Sequence, residues 1–217
     1  TYALIWTTTP WTIPANKAIA ANSDIEYVWV KVGDDALLLA KELVESSMEA
    51  AKVTEYEVLP GIMKGKNIEG LRFVHPMYED RKVPVILGDH VTLEAGTGLV
   101  HTAPDHGVED FEVCKKYPDW HLEPIGTVGP DGKYTSAVPG YEGKFALDMN
   151  VEMIKALAAF GALFAKGSLR HQYAHCWRCK NPIIYRATEQ WFSSVDGYRK
   201  KALEAIDQVQ WIPSWGH

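Results

Sequence analysis

The sequence predicts a mixed, β-rich fold: a β-barrel-like core with helices packed around its rim. Three observations carry that expectation. Short β-branched and aromatic runs outnumber helical segments, turns rich in glycine and aspartate separate them, and only two or three stretches have helical periodicity. The strands must therefore build most of the core.

Taken in order, Tyr2 to Thr7 is rich in β formers and ends before Pro10, with Pro14 close behind. A strand should pass there into an irregular, proline-pinned loop. Glu26 to Val32 and Ala36 to Ala40 read as strands joined by the hairpin composition Gly33, Asp34, Asp35. Lys41 to Ala51 has helical character, with Leu43, Val44, Ser47 and Met48 on one side. Val83 to Leu87 and Gly98 to Thr102 are further strands, with a glycine-bearing turn region between them. After Pro104, HGVEDFEVCKKY reads as a helix with acids in its first turn and lysines in its last, the order its dipole favours. Its geometry turns Asp110 toward the protein, near Val113 and Cys114. Val151 to Phe160 is a last clear helix, with Asn150 as its expected N-cap and Gly161 just past its end.

At 217 residues, with 47% hydrophobic and 23% charged, the chain has the composition of a globular protein able to bury a core. Tyr2 to Trp6 is far too short for a secretory or membrane-spanning segment. Three cysteines, Cys114, Cys176 and Cys179, are too few and too odd in number for a disulfide framework, which favours a reducing, cytoplasmic setting. A start at Thr1 reads as the cut end of a fragment. The formal charge of -6 argues against wrapping a long duplex but leaves room for a short single-stranded end. From Met153 to Thr188 there is no acid, while Lys155, Lys166, Arg170, Arg178, Lys180 and Arg186 form a basic stripe. Such a stripe is either a solvated face or a site for a nucleic-acid backbone.

CWRC at Cys176 to Cys179 has the spacing of one zinc knuckle, half of a structural site that needs four ligands. His171 and His175 stand nearby, but a second CxxC pair is absent. Zinc is therefore expected only in a longer parent protein. His90, His101 and His106 cluster around GTGLVHTAPDHGVED without the spacing of a compact metal motif. The order of strand, loop and helix there can aim His101 and Asp110 at one small cavity, although Asp110 also serves as ordinary dipole compensation. Thr1 formally qualifies as a terminal nucleophile, yet neither a GxSxG elbow nor a phosphate loop is present.

WTTTPWTIPANKAIA (Trp6 to Ala20) and GTGLVHTAPDHGVEDFEV (Gly96 to Val113) together resemble the two signature stretches of the editing domain, connective polypeptide 1, of isoleucyl-tRNA synthetases. HCWRCKNPIIYRATEQWF and the tail WIPSWGH resemble the segments leading back toward the synthetase catalytic domain. Valyl and leucyl relatives carry TTRP where this chain has Thr9 before Pro10, and those of the valyl type place a lysine where His101 stands. HIGH and KMSKS motifs are absent, so amino-acid activation is not expected of these residues.

The resemblance implies a single editing domain over 1-217, a fragment of a larger synthetase whose stretch 170-217 leads back to the catalytic domain. The implied activity is hydrolysis of valyl-tRNA(Ile), and of valyl-adenylate, without a cofactor. The implied partners are the charged 3′ end of tRNA(Ile) and the rest of the synthetase, with the domain a monomer. A pocket gains only about 1 to 3 kcal/mol from one methylene, for which the isoleucine enzyme is the standard worked example, so a second site that excludes by size is needed. Asp110 would bind the substrate ammonium. Thr7, Thr8 and Thr9 would line the pocket and orient water, His101 and Trp11 would wall and shape it, and Asn16 is a further substrate-side candidate. The terminal adenosine would rest on the loop from Gly88 to Gly98. A valyl-type domain acting on threonine, and a non-catalytic binder of the tRNA end using Trp177 and Trp191 for stacking, remain open.

Overall fold

The computed structural model describes residues 1–168 and 172–216. Two compact units are distinguished, Thr1–Ala187 and Thr188–His217. The first unit is built on two sheets.

One sheet pairs β1 (Tyr2–Ala3), β4 (Asp35–Ala40), β3 (Glu26–Val32) and β5 (Glu57–Val58) in that order, with β6 (Met63–Lys64) also on β3. The other runs β7 (Arg72–Val74), β8 (Lys82–Leu87), β2 (Ala18–Ala21) and β9 (Val100–Thr102). Alternation along the strands sends side chains to two faces. Ile19 and Ala21 of β2, Tyr27 of β3, Leu38 and Ala40 of β4, and Val83 and Val85 of β8 meet in a core between the sheets. The opposite face of β3 and β4 packs Val28, Val30, Leu37 and Leu39 under Val44 and Met48 of α1 (Val44–Ala50). The opposite face of β2 and β8 packs Ala18, Ala20 and Ile86 under Val113 and Cys114 of α2 (Val108–Lys115). The result is the β-rich core with rim helices that the sequence predicts.

The sheets are tied together beside the threonine run. Only Tyr2 and Ala3 pair with β4, and Trp6 then bridges to Val100 of the other sheet, so the expected strand to Thr7 is divided between two partners. Tyr27 donates its hydroxyl to the Gly98 carbonyl at 2.8 Å, closing the same seam. Gly98 has φ +73, and a Cβ there would lie 2.4 Å from Cβ of Ala40. The strand accordingly begins at Val100 and not at Gly98.

The proline-pinned segment is a buried 3-10 helix, Pro10–Ala15. Pro10 presets the helical φ at its start, and Pro14 lacks the N–H that a longer ladder would require. Tertiary bonds complete it: the carbonyls of Trp11, Ile13 and Pro14 accept from Tyr134 Oη, His75 Nε2 and Arg81 Nη1. The Trp11 N–H is taken by Asn150 Oδ1 at 3.1 Å. Asn150 is thus not the cap of the last helix of this unit, α3 (Asn150–Ala159), but its first residue, its side chain committed to a neighbour 139 positions away. Gly161, at φ +67, ends that helix as expected.

In the second unit α4 (Arg199–Gln208) is preceded by an Arg199–Asp196 ion pair at 3.0 Å. Among the described residues, no helix is long and apolar enough to cross a membrane.

Candidate functional site

A cleft of ≈ 380 Å³ opens where the two sheets meet. It is lined by Thr7, Thr8, Thr9, His101 and Asp110, together with Thr12, His90 and His106 and the loop from Thr92 to Val100. Five of the residues singled out from the sequence thus share one cavity. Trp11 and Asn16 do not line it and lie behind its walls.

The threonine wall is held by its own hydroxyls. The Thr9 N–H donates to Thr7 Oγ1 at 3.1 Å, and the Thr9 and Thr12 hydroxyls lie 3.3 Å apart. One helical turn brings Thr12 back beneath Thr9, where its Oγ1 meets His101 Nε2 at 2.8 Å. On the other side of the ring, His101 Nδ1 donates to Asn16 Oδ1 at 3.0 Å, and that oxygen also accepts the Thr102 N–H at 3.2 Å. Burial, followed by the nearby His75 and His106 rings, pushes His101 down to about 3. At neutral pH it is an uncharged imidazole. Trp11 packs edge-on against His106 with ring centroids 4.7 Å apart, so it shapes the cleft through that ring.

The facing wall is the N-terminal turn of α2. Val113 and Cys114 anchor the helix on its sheet, and one turn earlier Asp110 reaches the cleft half-buried. Its Oδ2 accepts the Ala103 N–H at 2.8 Å, while Oδ1 has no hydrogen-bond partner among the described residues. Gly107 makes room: a Cβ there would lie 2.8 Å from Cγ of Asp110. Burial raises the Asp110 pKa above the ordinary carboxylate value, opposed by the Ala103 N–H and by nearby His90. Asp105, in the same motif, is fully buried and accepts the Ile125 and Thr127 N–H groups, each at 3.0 Å, which makes it structural. His106 donates from Nδ1 to the Tyr185 carbonyl at 2.9 Å, and its pKa is lowered, chiefly by burial.

Thr12, His90 and His106 were not assigned to the cleft from the sequence. His90 and His106 carried a signal in their clustering around the motif of His101, whereas the place of Thr12, three residues past Thr9 and one turn along the 3-10 helix, followed only from the structure. His90 Nε2 is buried without a hydrogen-bond partner among the described residues.

The CWRC turn lies apart in the chain. Cys176 donates its N–H to Asn181 and accepts that of Lys180, while N–H groups of Cys179 and then Arg178 hold the Cys176 thiol below its usual pKa. A turn that stabilises one thiolate fits half of a zinc site. Among the described residues no group of three or more His, Cys, Asp or Glu is placed to hold a metal ion. His171, the other candidate ligand, and Arg170 of the basic stripe lie outside the described residues. Elsewhere in the stripe, Lys155 pairs with Glu152 at 2.8 Å and the Arg178 guanidinium covers the Trp177 ring at 4.9 Å.

Residues 7–217 match the model of the tRNA synthetases class I (I, L, M and V). The chain is 48% identical over 215 residues to the isoleucine--tRNA ligase of Thermoanaerobacter sp. (strain X514), covering 99% of this chain and 22% of that protein. Against the isoleucine--tRNA ligase of Caldicellulosiruptor bescii it is 50% identical over 215 residues, covering 99% and 23%. The chain therefore spans less than a quarter of the length of these curated relatives. Its fold is similar to the crystal structure of GlLeuRS-CP1, with a TM-score of 0.62 and 13% identity over 76% of this chain and 84% of that one. The chain thus belongs to the class I tRNA synthetases (I, L, M and V).

Proposed function

We propose that this domain hydrolyses the ester joining valine to the 3′ end of tRNA(Ile), accepts valyl-adenylate as a second substrate, and rejects isoleucine by size. The observation that supports this reading most directly is the half-buried Asp110 carboxylate, one oxygen fixed by the Ala103 N–H, in a cleft that Thr7, Thr8 and Thr9 also line. An α-ammonium group bound there gains a charge-assisted hydrogen bond in a partly dry site. His101, hydrogen-bonded at both ring nitrogens, lines the same cleft and is the side chain to which this reading assigns the exclusion of an added methylene.

A protein base is not favoured by the electrostatics. His101, at about 3, is too weak to take a proton from water at neutral pH, and His106 is shifted in the same direction. The threonine hydroxyls position the attacking water, and a ribose hydroxyl of the terminal adenosine assists it. Editing needs no cofactor on this reading. Cys176 and Cys179 would hold a structural zinc ion only together with two further ligands in a longer synthetase, whose other regions would carry much of the tRNA affinity in the cytoplasm.

Deacylation of valyl-tRNA(Ile), isoleucyl-tRNA(Ile) and threonyl-tRNA(Val) by the chain tests the proposal. Valine release is expected to be fastest, and Asp110→Ala should lower kcat/KM by roughly 10- to 100-fold, the range of one charged hydrogen bond. Binding of the tRNA end without turnover would make this a binding module, and preferential threonine release would place it with the valyl type; either outcome overturns the reading.

A further inference from the structure

Behind the threonine wall a run of hydrogen bonds has a direction that the surroundings decide. Thr12, Asn16 and His101 are 6%, 4% and 7% exposed, so solvent has little access to the donors and acceptors between them. Asn16 Oδ1 is identified as the oxygen because it accepts the Thr102 N–H. The proton of neutral His101 must then sit on Nδ1, facing that oxygen. Nε2 is left with a lone pair and one neighbour, the Thr12 hydroxyl at 2.8 Å.

Thr12 has a single hydroxyl proton and two acceptors at 2.8 Å, His101 Nε2 and the Thr9 carbonyl. The carbonyl already accepts the Thr12 N–H at 2.9 Å. An unmet buried lone pair on Nε2 would cost more than a second donor to that carbonyl gains, so the proton goes to His101. The Thr12 oxygen can then accept the Thr9 hydroxyl at 3.3 Å.

We propose that Asn16 and Thr12 are positioning residues of the editing site: Asn16 fixes His101 as its Nδ1–H tautomer, and the resulting direction, Thr9 to Thr12 to His101, leaves the Thr9 oxygen facing the cleft as an acceptor for the attacking water. This rests on the hydrolytic reading given above. It assigns to Asn16 an indirect role in place of substrate contact, and to Thr12 a role the sequence motif alone did not suggest.

The tautomer is measured without substrate, by two-bond 1H–15N correlation spectra of the histidine-labelled 217-residue chain between pH 5.5 and 8. A neutral His101 with its proton on Nδ1 across that range is expected. A proton on Nε2, or an imidazolium near pH 7, overturns the inference even if deacylation is efficient. Kinetics then read the direction. Asn16→Asp keeps both acceptor bonds but favours the charged ring, which must donate from Nε2 and so reverses Thr12. Valyl-tRNA(Ile) deacylation by this variant should gain a second acid limb, falling where the ring is charged and at higher pH than the decline that Asp110 imposes on the parent, whereas a wild-type rate and pH profile would refute the directional role. Thr12→Val should lower kcat roughly five- to tenfold with KM unchanged, and Thr12→Ser should restore it, the size of one neutral hydrogen bond. If Asn16→Asp does not fold, the wild-type spectra and the Thr12 pair still decide. Absence of turnover in every form would sink the hydrolytic reading while leaving the tautomer to be judged by the spectra alone.

Discussion

The two walls of the cleft follow opposite electrostatic rules. On the threonine side Thr12, His101 and Asn16 are buried, uncharged at neutral pH and hydrogen-bonded to one another or to nearby backbone. On the helix side Asp110 is only half-buried, and its carboxylate has one oxygen held by the Ala103 N–H and the other without a hydrogen-bond partner among the described residues. A matched neutral network stabilises the fold whether or not a ligand is present. A half-matched carboxylate is held at some cost until a cation arrives. Stability should therefore reside in the first wall and affinity in the second.

The largest separation of the two comes from deleting the ring of the neutral wall. His101→Ala leaves a cavity and strips partners from Thr12 and Asn16, and a loss of about 3 kcal/mol in unfolding free energy is expected from combined cavity and unpaired-group effects. Urea denaturation measures it, and a loss below about 1 kcal/mol would show that the network carries little of the fold's stability. Asp110→Asn should behave in the opposite way. The amide oxygen can still accept the Ala103 N–H, so stability should stay within about 1 kcal/mol of the parent while valyl-tRNA(Ile) deacylation falls by roughly 10- to 100-fold. Denaturation and kinetics on the same preparation decide whether the wall is functional or structural.

A smaller effect should follow from moving the carboxylate without removing it. Gly107 has φ -132, an ordinary extended conformation, so alanine there introduces no backbone strain. Its Cβ would nevertheless stand 2.8 Å from Cγ of Asp110, and the carboxyl group must shift. Gly107→Ala should cut kcat/KM about tenfold or less, since misplacement weakens a charged hydrogen bond without deleting it. An unchanged rate would mean that the position of Asp110 is not critical.

What could be read beforehand divides along the same line between local and distant partners. The β3–β4 hairpin was legible because its alternation and its Gly33–Asp34 turn are adjacent in sequence. The helix carrying Asp110 was legible because its charges follow its own dipole. Asn150 was misread as a cap because its carboxamide serves Trp11, across the fold, and nothing beside it in the chain signals that. The PWTIPA segment looked irregular for the same reason: its carbonyls are satisfied by Tyr134, His75 and Arg81, none of which is near in sequence. Gathering Thr7 to Thr9, His101 and Asp110 into one cleft was readable only through two long motifs considered together, whereas the place of Asn16 behind His101 required coordinates.

Mild acid provides the finest test of the contrast, because it titrates the two walls for different reasons. Burial lowers His101 to about 3 and His75 to about 4, against an ordinary value of 6.5, so near pH 6 the unfolded chain binds protons that the folded chain refuses. Their contribution is fully present above pH 6.5 and declines as pH falls toward 4 and then 3. Between pH 7 and 6 the melting temperature should therefore drop by a few degrees, roughly the shift produced by 1 kcal/mol in a domain of this size. Asp110 has its pKa raised, and its anchoring form is the anion, so activity should fall on acidification at a higher pH than an ordinary carboxylate would impose. The two declines are separable by substitution. Asp110→Asn should abolish the carboxylate's part of the activity profile while leaving the acid sensitivity of the melt intact, since the buried histidines remain. If that variant also flattened the dependence of melting temperature on pH, the carboxylate and not the buried imidazoles would be the group linked to folding, and the division between the walls would fail.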